Sequence, residues 1–318
     1  MSVVVFDDIQ KELEKVNILI KEELQTDQNF LNQLVSHFTR RRGKMIRPSL
    51  VILGGKICGS KSKELLKLAA AMEILHMATL VHDDIIDEAD KRRGGKTINS
   101  MFGSQLAVLL GDFFYARSLS IVNHIPHGYE LISDIVASMV QGEFLQYETS
   151  FNLDQGKDNY LKIIGLKTAY FISTCCKLGA LMGHSSKREE VALTNYGKYL
   201  GLAFQIRDDI LDIYATEKKL GKPVYKDVTN GVYTLPILQA LQSDRRDELS
   251  QILQKDFLVE EDLDDLNNII IETGSLNYTH AKVLEYCEKA RECLRIFPNS
   301  KEKSILISLT KFNMKRKY

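Results

Sequence analysis

The stretch LHMATLVHDDIIDEADKRRGGKT, residues 75–97, decides the fold. It begins as an apolar, helix-compatible run and then carries three carboxylates, Asp83, Asp84 and Asp87, in a D-D-x-x-D box. On a helix, positions four apart share a face, so Asp83 and Asp87 point the same way. Like charges so placed destabilise an isolated helix by roughly a few tenths of a kcal/mol. The box returns as Asp208-Asp209-Ile210-Leu211-Asp212 in another apolar run, with Asp208 and Asp212 on one face. A chain that does this twice, beside Leu and Val, has a cation to place there. All-oxygen carboxylate ligands suit Mg²⁺, which keeps several waters and completes its shell with substrate phosphates. Two such boxes could clamp a metal-bound diphosphate. The competing reading is two solvated acidic helix faces.

Working outward, the same helical period recurs. Residues 8–38 carry Ile9, Leu13, Val16, Leu19, Ile20 and Leu24, then Phe30, Leu31, Leu34 and Phe38. Residues 63–87 present a broad apolar stripe, and 105–122, 130–148, 160–182, 190–214, 235–253, 261–272, 279–295 and 301–314 read alike. Only five prolines interrupt the 318 residues, and no strand alternation or hairpin signal extends over a useful length. The expectation is an all-α fold, one domain over residues 1–318 with ten or more helices.

Lys+Arg and Asp+Glu are 42 each, which gives no overall electrostatic case for nucleic acid or an anionic membrane. The five cysteines show neither metal spacing nor a disulfide framework. The N-terminus, MSVVVFDDIQKELEKV, lacks the basic start and apolar core of a signal peptide. No uncharged apolar run reaches the roughly 18 residues of a membrane span. A soluble, reduced, cytoplasmic protein is expected.

Basic residues gather near both boxes: Arg40-Arg41-Arg42-Gly43-Lys44-Met45-Ile46-Arg47 upstream, Lys91-Arg92-Arg93-Gly94-Gly95 after the first box, Lys167-Thr168 in an apolar helix, and Gly221-Lys222-Pro223 after the second. Arg forks onto phosphate oxygens and Lys acts as a mobile point charge. Each cluster alone is explained by a solvated turn, but together they supply cations for two diphosphates. His76, seven residues before Asp83, lies two turns back on the same face and would project toward the diphosphates.

In order, GKMIRP (43–48), LHMATLVHDDIIDEADKRRGGKT (75–97), LLGDFFYARSL (109–119), GLKTA (165–169), GLAFQIRDDILD (201–212), GKP (221–223) and NGVYTLPIL (230–238) make the chain resemble a trans-polyprenyl diphosphate synthase. It is most similar to the medium- and long-chain bacterial branch, including the catalytic subunit of heptaprenyl diphosphate synthases. The resemblance implies an all-α isoprenoid-synthase fold, a single large helical bundle around a central cavity. By position, Asp83, Asp84 and Asp87, and Asp208, Asp209 and Asp212, would bind an allylic diphosphate through three Mg²⁺ ions. Arg92, Lys167 and Lys222 fall where the family contacts that diphosphate. Lys44, Arg47, His76 and Arg93 fall where it holds isopentenyl diphosphate without metal. Thr168 and Gln205 match positions bordering the developing carbocation. Two departures stand out: Arg42 replaces the first glycine of a Gly-Gly-Lys, and Tyr225 replaces a glycine after GKP.

The implied reaction is a 1′–4 prenyl transfer that needs no protein nucleophile. The implied partners are isopentenyl diphosphate and farnesyl or geranylgeranyl diphosphate, with a homodimer or a heterodimer with a small non-catalytic subunit. Short-chain members place aromatic rings just before the first box. Here Ala78 and Thr79 stand there, with Ile74 and Leu75 a turn deeper. By family analogy the product is about C30–C40, suited to a quinone side chain. The alternatives are a short-chain farnesyl or geranylgeranyl synthase, which the small Ala78 disfavours, and a non-catalytic prenyl-binding partner subunit, which would lack the boxes.

Overall fold

The computed structural model describes residues 8–40, 43–218, 226–255 and 257–315. Sixteen α-helices occur among these residues, from α1 (Gln10–Glu23) to α16 (Lys301–Lys315). Most of the described residues are helical and very few are in strands, as the period-3.6 patterning dictates. The chain divides into two compact units. One comprises Met1–Ser133, Cys175–Val191 and Asn299–Leu306, the other Asp134–Thr174, Ala192–Pro298 and Ile307–Tyr318.

The first unit is built on α4 (Glu64–Ile86), which packs against α1, α3 (Ile46–Ile57) and α6 (Ser104–Val122). No glycine or proline interrupts α4, and its Leu, Ala and Met residues favour helix. Leu68, Ala69, Ala70, Ala71, Met72 and Ile74 are fully enclosed. The helix stops where Glu88 turns left-handed at φ 47°. Ala89 N–H then bonds to Asp84 O at 2.9 Å and Glu88 N–H to Ile85 O at 3.1 Å, the paired bonds of a Schellman ending. The first aspartate box is therefore the last turn of a buried helix. Close packing of α3 depends on Gly179, where a Cβ would lie 2.4 Å from Val51 O.

The second unit buries α8 (Gly156–Ile164), residues 192–213 of α10 (Lys187–Lys218), and the helices α12 (Leu235–Ala240), α13 (Arg246–Leu253), α14 (Glu260–Glu272) and α15 (Ser275–Cys293) around Ala203, Ile206, Ile210, Leu249 and Leu266. At Gly201 of α10 a Cβ would lie 2.6 Å from Ala169 Cα, so only glycine lets the two backbones approach so closely.

Three local readings change. The expected helix over 160–182 is α8, a π-helical turn at Gly165–Ala169, then α9 (Tyr170–Met182). The stretch 235–253 is split into α12 and α13 by a turn. A two-stranded hairpin, β1 (Lys91–Arg92) with β2 (Gly95–Lys96), follows the first box, where no hairpin was expected. Its turn residues Arg93 and Gly94 have φ 50° and 76°, the left-handed pair of a tight hairpin. Arginine is an unusual first turn residue, so the local sequence gave weak warning. By length and composition α4 and α6 are also apolar enough to cross a membrane, although α4 is mostly buried inside the protein, as in a core helix.

Candidate active site

In the first unit, the box has a graded exposure. Asp83 is half-buried, Asp84 is 3% exposed and Asp87 lies open at the helix end. Asp84 points inward to Arg92, whose Nε donates to Asp84 Oδ1 at 2.6 Å. Burial pushes the Asp84 carboxyl up, against the Arg92 bond that lowers it. Arg92 thus has a protein partner before any ligand arrives, and the hairpin is tied to the box.

The basic residues of this unit converge on the same end of α4. Arg93, held left-handed by its turn, lays its guanidinium along Gly43, where a Cβ would meet Arg93 Nη2 at 2.8 Å. Gly43 thereby admits Arg93 beside the loop that presents Lys44, which is exposed. Met45 is left-handed at φ 52° and opens α3, which carries Arg47. A cavity of about 50 Å³ is lined by Phe38, Gly43, Met45, Glu73, Met77 and Arg93. Glu73 is 7% exposed, and burial raises its carboxyl while Arg47 and Arg93 oppose the rise. Burial lowers the guanidinium of Arg47, with Glu73 and Asp83 among the charges that offset it. His76 is lowered well below its ordinary value by burial and then by Arg47, Arg93 and Arg92, so its ring is neutral at neutral pH.

Leu75, Ile74 and Ala78 are buried on α4 at 1%, 0% and 3% exposure, while Thr79 is half-buried and donates to His76 O at 2.9 Å.

In the second unit the other box repeats the gradient. Asp208 is half-buried, Asp209 is 6% exposed and Asp212 is exposed. Here the middle aspartate meets neutral donors. Tyr160 Oη donates to Asp209 Oδ2 at 2.6 Å and Gln205 Nε2 to Oδ1 at 3.0 Å. Burial dominates, raising the Asp209 carboxyl to about 7 in spite of both bonds, with Asp227 and Asp212 adding to the rise. Gln205 in turn accepts from Thr168 Oγ1 at 2.9 Å. Thr168 and Lys167 lie on the π-helical turn, whose widened bonding re-aims side chains. Ser138 donates to Leu166 O at 3.1 Å within it. Lys167 Nζ is 2.7 Å from Glu143 Oε1 and donates to Gln146 Oε1 at 3.0 Å, both on α7 (Gly128–Thr149).

Each unit therefore gathers its own expected residues: Lys44, Arg47, His76, Arg92 and Arg93 with the first box, and Lys167, Thr168 and Gln205 with the second. Lys222 lies outside the described residues, as do Arg42 and Tyr225. Glu73, Glu143, Gln146 and Tyr160 escaped the sequence reading. A lone carboxylate inside the apolar run of α4 could have flagged Glu73. Nothing local links Tyr160 to Asp209, 49 residues on.

Among the described residues no three His, Cys, Asp or Glu side chains form a closed metal cluster. In both boxes the middle aspartate is buried. The remaining two carboxylates of each box, Asp83 and Asp87 at the end of α4 and Asp208 and Asp212 within α10, are hard oxygen donors. That set fits a Mg²⁺ ion held by one or two carboxylates plus substrate phosphates.

This fold and donor set define an all-α isoprenoid synthase. A family model, polyprenyl synthetase, matches residues 28–270. The chain belongs to the polyprenyl synthetase family and is a trans-prenyltransferase. It is 32% identical to the octaprenyl diphosphate synthase of Haemophilus influenzae, over 98% of this chain and 97% of that one. Component 2 of the Bacillus subtilis heptaprenyl diphosphate synthase is also 32% identical, over 98% and 88%. Among solved structures, the Caulobacter crescentus polyprenyl synthase, complexed with calcium and isoprenyl diphosphate, superimposes with a TM-score of 0.90 at 31% identity, over 98% of this chain and 97% of that one.

Proposed function

We infer that the protein condenses isopentenyl diphosphate onto an allylic diphosphate, farnesyl or geranylgeranyl, and releases inorganic diphosphate. The product is a medium- to long-chain all-trans polyprenyl diphosphate for a quinone side chain. The observation that carries this reading is the repeated exposure gradient: each box keeps its middle aspartate inside and offers its first and last to a ligand. The whole chain acts as one polyprenyl-synthase domain in the cytoplasm. It works as a homodimer or with a small non-catalytic subunit, a possibility that the two-component Bacillus relative supports.

Asp83, Asp87 and Asp208 would hold Mg²⁺, three ions per site. Once bound, these supply Lewis-acid stabilisation of the negative charge that builds on the departing diphosphate. The protein's own groups do the rest. Arg92 and Lys167 add positive charge near that leaving group, and the family resemblance assigns Lys222 to the same task. Lys44, Arg47 and Arg93 bind the diphosphate of isopentenyl diphosphate, and neutral His76 offers it a hydrogen bond without adding charge. Holding the two substrates together replaces an encounter with a unimolecular step. The apolar side chains of α4 exclude water from the tail. After the double bond attacks the allylic carbon, the released diphosphate is the base that accepts the proton.

Incubating the purified chain with farnesyl diphosphate, labelled isopentenyl diphosphate and Mg²⁺, then sizing the products, tests this reading. A ladder extending beyond C20 is expected. No Mg²⁺-dependent elongation, alone or with a partner subunit, would overturn it.

A further inference from the structure

A hollow of about 470 Å³ opens in the first unit between α1 and α2 (Asn29–Thr39), and no residue assigned to prenyl transfer lines it. Lys21 and Leu24 are three apart on α1, and Asn32, Val35, Ser36 and Thr39 are spaced by turns on α2, so each helix gives one face to the hollow. Leu24 and Val35, 0% and 8% exposed, make an apolar floor. The only charged residues in the lining are basic, Lys21 and Arg40, and both are exposed. Among the described residues neither has a carboxylate partner, and Glu23, on the same helix as Lys21, is engaged by Arg117 at 2.7 Å. A cation at the end of a helix complements its dipole, which accounts for either residue singly. It does not account for two of them lining one hollow that no carboxylate enters. The walls are set before any ligand arrives. Asn32 Nδ2 donates to Thr26 O at 2.7 Å, and its Oδ1 accepts from the Thr26 N–H at 3.0 Å, which fixes the turn between the helices. Thr39 Oγ1 donates to Val35 O at 2.9 Å, so of the two hydroxyls in the lining Ser36 is the one with a hydrogen to give.

We propose that this hollow is a further diphosphate site, outside the prenyl-transfer machinery, in which Lys21, Arg40 and Ser36 bind the diphosphate group above the floor of Leu24 and Val35. That the ligand is an anion follows from the lining, since charge-assisted bonds from Lys and Arg are the strong ones available there. That the anion is a diphosphate rests on the prenyl-transfer reading, in which every substrate and product is a diphosphate. The volume falls within the roughly 300–1,000 Å³ of small-molecule sites. It admits inorganic diphosphate or a prenyl ester whose tail covers the floor. Lys21 and Thr39 also border the smaller cavity that Arg93 lines, so the two hollows share a wall, and Arg93 belongs to one and Arg40 to the other.

The test is equilibrium dialysis of the full chain against radiolabelled inorganic diphosphate in EDTA, which silences the metal-dependent boxes. Two sites per chain are expected, one at Lys44, Arg47 and Arg93 and one in the hollow. Lys21→Ala combined with Arg40→Ala should weaken one of them at least about tenfold, and Lys44→Ala combined with Arg47→Ala should weaken the other. Ser36→Ala, a smaller change, should weaken the hollow about threefold and confirms the assignment independently of the charges. An unchanged number and strength of sites in the Lys21 and Arg40 variant would overturn the proposal. So would full displacement by sulfate at equal ionic strength, which marks a merely positive surface. A wild type with a single site that Lys21 and Arg40 control keeps the proposal and instead removes the metal-free isopentenyl diphosphate assignment, so the two readings fail separately. Unlabelled dimethylallyl diphosphate then tells the sources apart. Tighter competition for the hollow than inorganic diphosphate shows assigns the site to a prenyl ester, and equal or weaker competition assigns it to the diphosphate that the reaction releases.

Discussion

The two aspartate boxes share their spacing and their exposure gradient, yet they hold their middle residue by different chemistry. Asp84 is met by a cation, Arg92, whose side chain is 31% exposed. Asp209 is met by two neutral donors, Tyr160 and Gln205, in a closed interior. The first arrangement compensates charge and ties the box to a hairpin that also carries Arg93. The second offers only neutral donors, and burial raises the Asp209 carboxyl to about 7. A repeated motif therefore fixes the ligand-facing positions, while the inward position is free to serve whatever its unit requires.

The comparison breaks most directly at the outward positions. Asp83→Ala and Asp208→Ala should each lower turnover about a thousandfold, since each removes a ligand for the metal that stabilises the leaving diphosphate. Far-ultraviolet circular dichroism should be unchanged. Near-normal product formation by either variant, or full activity in excess EDTA, would dissolve the assumed equivalence of the two boxes.

Next in size is the loss of Arg92. Breaking a fully buried ion pair costs about 3–5 kcal/mol; with the Arg92 side chain 31% exposed, water can partly replace it, and Arg92→Ala should cost about 2 kcal/mol. Urea unfolding of wild type and variant measures this. A difference below about 0.5 kcal/mol, the range of ordinary surface substitutions, would mean that Asp84 needs no cation and that the two boxes are held alike.

A subtler distinction concerns pH. The folded-state carboxyl of Asp209 lies at about 7, above its ordinary 3.8. Between those values the folded protein keeps a proton that the unfolded chain has released, so stability is lost as pH rises toward 7. The group's favourable contribution is complete only below the ordinary value. His76 works in the opposite sense: its lowered value makes the folded state lose stability as pH falls through the ordinary 6.5. Melting temperatures of metal-free wild type and Asp209→Asn, followed from pH 5 to 8, separate the two. The variant should lose less stability as pH rises than the wild type does. Identical slopes would show that Asp209 stays ionised in the fold, as a carboxylate with a cation beside it would.

These contrasts mark what the sequence could and could not reveal. The helices, both boxes and the basic clusters were legible because each depends on a period or spacing of a few residues. Asp83 and Asp87 share a face by helix geometry alone. The partner of a middle aspartate was not legible. Arg92 stands near enough to Asp84 for resemblance to draw attention to it, but as a ligand contact, and its bond to Asp84 depends on a hairpin with an arginine in a left-handed turn. Tyr160 reads as one more aromatic on an apolar helix face until the fold brings it to Asp209. The π-helical turn was hidden for a different reason: a single inserted residue leaves the apolar period nearly intact.

The smallest expected effect on rate, and the sharpest on outcome, is at Ala78. It sits five residues before Asp83 on α4, about 7.5 Å down the helix axis, and it is 3% exposed. The counterpart on α10, five residues before Asp208, is Ala203, 0% exposed and enclosed in the hydrophobic cluster of its unit. Both boxes thus stand above a small buried residue, and only the first has been assigned a role in setting product length. Ala78→Phe should leave the first condensations intact and shorten the product, because the ring obstructs the path of the growing tail. Ala203→Phe, an equal gain in volume, should cost about 1–3 kcal/mol by overpacking and leave product length alone. Product sizing and thermal melting of both variants decide between these roles. If Ala78→Phe melts early and its products keep their length, α4 is solid core beneath the box, and chain length is measured elsewhere.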